Sequence, residues 1–204
     1  MFSGITQGLF KINKLEKKSG ATDYSVILNK EIIQNIKIGS SVSIDGVCQT
    51  VTHINEMEAH FTAIAETLSC TTLKYLFKNQ KVSIESSLTF GSEVGGHMVS
   101  GHIIGTAKVS KITQYQNNLS LELQCPSDWM KFILPKGFIA VEGSSLTVGT
   151  TNEEGFFNIH LIPETIRLTN LGNKKVGDEV NIEPDFQTVA IVNTVERILQ
   201  AKRV

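Results

Sequence analysis

MFSGITQGLFKI (1–12) and MVSGHIIGTAKV (98–109) are two versions of one stretch. Met1 and Met98, Ser3 and Ser100, Gly4 and Gly101, Gly8 and Gly105, and Lys11 and Lys108 are identical at a constant spacing of 97 residues. The echo continues. GVCQTV (46–51) returns as GSSLTV (143–148), AETLSCTTL (65–73) as PETIRLTNL (163–171), and KVSIE (81–85) as EVNIE (179–183). The spacing steps from 97 to 98 between the second and third matches, so one net insertion between Val148 and Pro163 puts all of them on a single alignment. The chain is an internal duplication, with halves 1–97 and 98–186 and a tail, 187–204, outside the repeat. Solenoid units are shorter and more numerous, whereas a unit near a hundred residues can bury its own core, so the expectation is two homologous domains.

Each half reads as strands. Val42 and Ile44 alternate up to Asp45-Gly46, and Val47 and Val51 alternate after it, the pattern of a hairpin with a type I′ turn. The copy turns at Glu142-Gly143. Because successive strand residues face opposite ways, Cys48 and Thr50 share one face, and Val47, Gln49 and Val51 the other. Ser145 and Thr147 occupy the matching face of the second half. Short helices are expected near 30–35 and 128–134, the latter stopped before Pro135. Many short strands with glycine-rich turns point to closed β-barrels. From Phe186 onward, Val189, Val192, Val195, Ile198 and Leu199 recur at helical spacing, with Arg197, Lys202 and Arg203 toward the C-terminal end, an amphipathic helix that either packs on the barrels or joins subunits.

Of the 204 residues, 41% are hydrophobic and 19% charged, and the formal net charge is -1, so no net positive field gathers nucleic acid or polyphosphate. A small, nearly neutral substrate is expected. Cys48, Cys70 and Cys125 are an odd set without C-x-x-C spacing, against a disulfide framework or a thiolate zinc site and in keeping with a reducing cytoplasm. The start carries no apolar stretch ahead of a cleavage site, and no run approaches the roughly 20 apolar residues of a membrane span. Nucleotide-binding glycine loops, a nucleophile elbow and H-E-x-x-H are absent.

Several residues could carry chemistry. Cys48 reads either as a small buried hydrophobe or, because its copy is Ser145 and its face bears Thr50, as a pocket wall. His97 and His102 bracket MVSG with no carboxylate or thiolate in the segment, so a metal site is not expected. His102 aligns with Ile5, and His97 has no counterpart. His102, present in one copy alone, is a hydrogen-bonded core residue or a proton carrier. Asp185 stands where an aspartate caps a helix. Glu66-Thr67 and Glu164-Thr165 are loop polarity, or acceptors and donors for a ligand with amide edges and hydroxyls. Together these residues describe a duplicated β-barrel protein with two similar but unequal small-molecule pockets.

MFSGITQG, GVCQTV, GGHMVSGHIIGT, KGFIAVEGSSLTV, IPETIRLTNLG and VNIEPDFQT followed by VERIL, in this order, resemble the riboflavin synthase alpha chain family, a family of lumazine-binding repeats, from Met1 to about Leu199. The resemblance implies an all-β fold of two homologous six-stranded Greek-key barrels with a C-terminal helix, assembled as a homotrimer and needing neither cofactor nor metal. It implies a dismutation in which two molecules of 6,7-dimethyl-8-ribityllumazine exchange a four-carbon unit. Positions matching Cys48, His102, Ser41 and Asp185 are associated in the family with turnover, and a flexible start around Phe2 also matters. Carried over, the N-terminal pocket comprises Gly4, Ile5, Thr6, Cys48, Gln49, Thr50, Thr62, Ala63, Ile64, Ala65, Glu66, Thr67, Gly101, His102 and Ile103. The C-terminal pocket comprises Lys136, Ser145, Leu146, Thr147, Ile162, Pro163, Glu164, Thr165, Ile166 and Arg167. The chain departs from the family at Gln49, where leucine is usual, at Glu142, where aspartate is common, and at Ser144, where a larger apolar residue is usual. A non-catalytic lumazine- or flavin-binding antenna protein of the same family, and a purely structural trimer, are the competing readings.

Overall fold

A computed structural model describes residues 1–202, so Arg203 and Val204 of the expected tail helix lie outside the described residues. The first half forms β1 (Gly8–Lys18), β2 (Ala21–Ile27), α1 (Lys30–Asn35), β3 (Ser41–Ile44), β4 (Val47–Thr50), β5 (His53–Asn55), β6 (Glu58–Ile64), α2 (Ala65–Cys70) and β7 (Lys81–Ser86). The second repeats the order with β8 (Gly105–Gln114), β9 (Leu119–Gln124), β10 (Phe138–Val141), β11 (Ser144–Thr151), β12 (Phe156–Leu161), α3 (Pro163–Leu168) and β13 (Glu179–Pro184), and α4 (Phe186–Ala201) follows. The second half closes into a six-stranded barrel, β10-β11-β12-β9-β8-β13.

The first half has the same ring with one strand broken. Its order is β4-β3-β7-β1-β2-β6-β5, seven strands where six were expected. In the second barrel β11 pairs with β10 through Ser144 to Thr147 and with β12 through Val148 and Thr151. The first half divides that strand at Val51 and Thr52, so that β4 pairs with β3 and β5 with β6. Each barrel encloses its own apolar core, one around Val26, Ile44, Phe61 and Ile84, the other around Leu121, Val141, Ile159 and Ile182.

Both hairpin turns are of the expected type: φ is 47° and 86° at Asp45 and Gly46, and 50° and 81° at Glu142 and Gly143. The helix expected at 30–35 is present, capped by Asn29, whose side chain accepts from the Ile32 N–H. The segment expected as a helix at 128–134 is instead a 3-10 helix, Ser127–Phe132. Trp129 donates to the Pro126 carbonyl and Ile133 to that of Met130, the three-residue reach that a short segment between two prolines can complete. In α4 no residue is buried, and Ile191, Val195, Ile198 and Leu199 are exposed.

Four consecutive residues are buried in β7 (Val82 to Glu85) and five in β13 (Val180 to Pro184). Their apolar members fill the barrels. Ser83 and Asn181, on the opposite side, meet the other half of the chain at a junction where the two hairpin turns abut. A Cβ on Gly46 would lie 2.5 Å from the Gly143 nitrogen, and one on Gly143 would lie 2.7 Å from the Gly46 Cα, so neither turn tolerates a side chain. The polar groups there bond in matched pairs. Ser83 N–H donates to Asp45 Oδ1 at 2.6 Å and Asn181 N–H to Glu142 Oε1 at 2.7 Å. The Asn170 amide bridges Asp45 and Glu142, and Lys174 closes on Glu142 Oε2 at 2.9 Å.

Candidate functional site

The two leading segments are exchanged between the barrels. Phe2 and Val99, equivalent residues, bond to each other antiparallel, N–H to carbonyl, at 2.7 and 3.0 Å. Beyond this crossing, the Gly4 carbonyl accepts from Ser145 N–H of the second half at 2.8 Å, and the Gly101 carbonyl from Cys48 N–H of the first half at 3.0 Å. Two buried carboxylates anchor the segments identically. Glu85 accepts from Ser3 N–H, Ser3 Oγ and Gly4 N–H, and Glu183 from the same groups of Ser100 and Gly101. Burial pushes the Glu85 carboxyl up, against the pull of the donors from Ser3 and Gly4.

This exchange corrects the expected grouping. Gly4, Ile5 and Thr6 do not belong with Cys48: with Ser144, Ser145, Ile162, Glu164, Thr165, Leu168 and Thr169 they line a 180 Å³ cavity on the second barrel. Thr6 Oγ1 and Ser144 Oγ lie 3.1 Å apart there, so Ser144, with Leu168 and Thr169, joins the site although sequence reasoning left it out. Pro163 opens α3 at a position that needs no N–H, and Arg167 holds Glu164 in a two-point ion pair at 2.6 and 3.0 Å, keeping its carboxyl below the ordinary value. The equivalent set on the first barrel is Cys48, Ile64, Glu66 and Thr67, with Gly101, His102 and Ile103 arriving from the second half; Ile103 packs against the first core. Ile64 and Ile162, equivalent residues, are both exposed.

Other expected site residues are placed elsewhere. Gln49 and Leu146 point into the barrels, as alternation from Cys48 and Ser145 requires; Gln49 Oε1 accepts from the buried Tyr24 hydroxyl at 3.1 Å, a partner that the usual leucine could not supply. Ala63 lies in the first core. Thr62 donates to Asp23 at 2.6 Å along a separate groove. Ile166 packs against the second core. Ala65 is exposed at the start of α2, and Lys136 is exposed in a turn with φ 66°. Phe2 is fully buried with Val99 and Ala140, with Cys48 packed against them, so the start is pinned rather than loose. Ser41 is half-buried and pairs across the hairpin with Thr50, which, like Thr147, is exposed.

A larger cavity, 750 Å³, brings His102 and Asp185 together, with Met1, His97, Phe138 and Phe186 among its walls. Asp185 caps α4, accepting from Thr188 N–H at 2.9 Å and its hydroxyl at 2.8 Å. His97, for which the sequence suggested no role, is buried against Phe138 at 5.1 Å between ring centres, with Nδ1 2.6 Å from Ser145 Oγ. Burial lowers its pKa, and the charge of Asp185 opposes that. Phe138 is the counterpart of Ser41, so the halves differ at Ser41/Phe138, Cys48/Ser145 and His102/Ile5, all at or beside these cavities. No group of three or more metal-ligating side chains is assembled, and no helix is long and apolar enough to cross a membrane, among the described residues.

The lumazine binding domain matches this chain twice, over residues 3–87 and 100–185. The riboflavin synthase of Escherichia coli (strain K12) is 43% identical over 203 residues, 99% of this chain and 95% of that protein. The chain belongs to the riboflavin synthase family. Other members include the riboflavin synthases of Buchnera aphidicola subsp. Baizongia pistaciae, 40% identical over 98% of this chain and 94% of that one, and of Chlamydia pneumoniae, 39% identical over 98% and 97%. Among solved structures, LumP complexed with riboflavin superposes with a TM-score of 0.83 at 28% identity, covering 90% of this chain and 99% of that one. LumP complexed with 6,7-dimethyl-8-(1'-D-ribityl) lumazine gives 0.81 at 26% identity, with the same coverage. In this riboflavin synthase family member, the exchanged segments bond the leading stretch of each half to the hairpin of the other.

Proposed function

We propose that this protein is a riboflavin synthase that converts two molecules of 6,7-dimethyl-8-ribityllumazine into riboflavin and 5-amino-6-(D-ribitylamino)uracil. The observation that carries this reading is the pair of equivalent sites that differ at Ser41/Phe138, Cys48/Ser145 and His102/Ile5. A reaction between two copies of one compound needs two related pockets, and the roles of donor and acceptor can be assigned only where the pockets are unlike. The atoms of two lumazines are redistributed between the two products with none left over, so neither oxidant nor reductant enters.

Cys48, Ser41, His102 and Asp185 are the residues assigned to turnover. A proton must leave the C7 methyl group of one lumazine, and His102 and Asp185 are titratable groups on the wall of the 750 Å³ cavity, a volume within the range of small-molecule sites. Ile5, Thr6, Ile162, Glu164 and Thr165 bind the second molecule, the isoleucines against the ring and the polar groups toward the ribityl hydroxyls and ring amides. Holding two substrates in register contributes up to about 7 to 11 kcal/mol in favourable cases. The protein acts as a homotrimer, with the exposed apolar face of α4 as the joining element. Its cysteines are unpaired, which suits the cytoplasm.

Incubating the purified chain with the lumazine tests the reading. Riboflavin and the uracil should appear in equal amounts, one of each for two lumazines consumed. Tight binding of lumazine or riboflavin without conversion supports the antenna reading instead, and absence of binding a structural role.

A further inference from the structure

His97 is the last residue of the first half, directly ahead of Met98, and falls in none of the matched stretches, so no residue of the other copy corresponds to it. Its partners are two of the positions at which the halves diverge. The ring lies on Phe138, where the first half has Ser41, and Nδ1 meets the hydroxyl of Ser145, where the first half has Cys48. The arrangement therefore exists on the second barrel alone. The ring has little freedom there, being 8% exposed and stacked at an interplanar angle of 16°. Ser145 is confined as well: a Cβ on Gly4 would lie 2.5 Å, and one on Gly96 2.6 Å, from its Cβ. Ser145 lines the smaller cavity and His97 the larger, so the dyad forms the wall between them.

We propose that His97 is a positioning residue of the C-terminal pocket, whose imidazole fixes the Ser145 hydroxyl and decides whether that hydroxyl presents a lone pair or a proton to the bound heterocycle. The proposal rests on the reading of that pocket as a lumazine site. With Nδ1 unprotonated, Ser145 donates to the ring and its oxygen is left to accept from a ligand N–H or hydroxyl. With the ring protonated, Nδ1–H donates to the Ser145 oxygen and the hydroxyl proton turns toward the ligand. The titratable groups sharing the cavity are Asp185, His102 and the Met1 amino group. Burial, partly offset by Asp185, places the change on the acid side of the ordinary histidine value, so near neutral pH the ring is uncharged, and its Nε2–H tautomer makes Ser145 an acceptor toward the ligand.

The test is fluorescence titration of the full chain with 6,7-dimethyl-8-ribityllumazine and with riboflavin, from about pH 5 to about pH 8. Wild-type affinity should change through one inflection on the acid side. His97→Leu should weaken binding by about fivefold at neutral pH, the value of one neutral hydrogen bond, and abolish the inflection. His97→Asn places an amide near the Nδ1 position and should recover most of that loss with no inflection, since an amide does not titrate. The double variant with Ser145→Ala should bind no worse than Ser145→Ala alone. The proposal is overturned if His97→Asn keeps the inflection, if it binds as poorly as His97→Leu, or if the two losses multiply. NMR titration of the His97 ring in ligand-free wild type and Ser145→Ala reads the dyad directly. Failure of the function reading shows as a chain that binds neither compound although the His97 midpoint moves in Ser145→Ala. Failure of the proposal shows as a chain that converts the lumazine with a midpoint that Ser145→Ala leaves unmoved.

Discussion

Gly4 and Ser145, from opposite halves of the chain, are joined backbone to backbone by a 2.8 Å hydrogen bond, and Gly4 has φ 73° at that point. An alanine there meets two penalties. The left-handed conformation costs an L-residue about 1 to 2 kcal/mol, and its Cβ would overlap that of Ser145. Gly4→Ala should lower the melting temperature and weaken ligand binding on the second barrel, and Gly101→Ala should do the same on the first through Cys48. Site-resolved titration decides; a Gly4→Ala chain that loses binding only on the first barrel would falsify the exchange of leading segments.

Cys48 and Ser145 should respond differently to small changes. Cys48→Ser makes the halves alike at this position while keeping a small polar group, so folding and lumazine binding should largely survive. Turnover should fall much further, because interactions equal in ground and transition states do not lower the barrier. Ser145→Ala should cost about 0.5 to 1.5 kcal/mol of binding on the second barrel. Single-turnover rates beside equilibrium titrations separate the two effects, and equal losses of rate and binding in both variants would remove this pair from the mechanism.

The duplication was legible because identical residues on one alignment survive in Ser3/Ser100, Gly4/Gly101 and Glu85/Glu183, and the structure gives each pair the same bonds. The hairpin turns were legible from Asp45-Gly46 and Glu142-Gly143. Which barrel receives Gly4 was not, because a repeat places a segment in its own half, and crossing at Phe2 and Val99 is a tertiary event with no local signature. The six-residue helices α2 and α3 are too short to show a period, so AETLSC and PETIRL read as motifs rather than helices. His97 escaped for a related reason: its partners lie 41 and 48 residues away.

The junction between the barrels makes stability depend on pH. Burial, and then the charge of Glu142, push the Asp45 carboxyl well above its ordinary 3.8. The folded chain therefore keeps a proton that the unfolded chain releases, and the associated stability is full below the unfolded value and lost as pH rises through the folded one. Asp45→Asn keeps the Oδ1 acceptor for Ser83 and Asn170 and removes the titration. Its melting temperature should match wild type near pH 4 and exceed it increasingly toward neutrality. A variant less stable than wild type by a constant amount across that range would mean that Asp45 is a charged, fully paired group.

Lys174 supplies the cation at the same junction, with burial opposing its charge and the neighbouring Glu142 overcoming that. Its counterpart in the first half is Leu76, so the charge was added to one side only. Lys174→Met leaves Glu142, which is 0% exposed, without its counter-charge and should destabilise by about 3 to 5 kcal/mol. Glu142→Gln in the same chain should restore part of that loss. Denaturant unfolding of the single and double variants measures the recovery, and its absence would show that Lys174 acts by packing.

The tail yields the last prediction, since α4 has no equivalent in the first half and, with Val189 and Val192 half-buried, has no fully buried residue. Its one ion pair to them, Lys131 with Glu196 at 2.7 Å, joins two partly exposed side chains and is worth little by itself. An apolar face formed by Ile191, Val195, Ile198 and Leu199 and left in water favours burial against another copy, at roughly 1.5 to 3 kcal/mol for each side chain fully covered. A chain ending at Phe186 should therefore keep both barrels folded, with unchanged far-ultraviolet signal from the strands, and should sediment as a monomer at concentrations where the whole chain assembles. If donor and acceptor sites meet across subunits, turnover should fall with assembly and recover as concentration rises. A truncated chain that stays trimeric and active at low concentration would show that the barrels, not the helix, hold the subunits together.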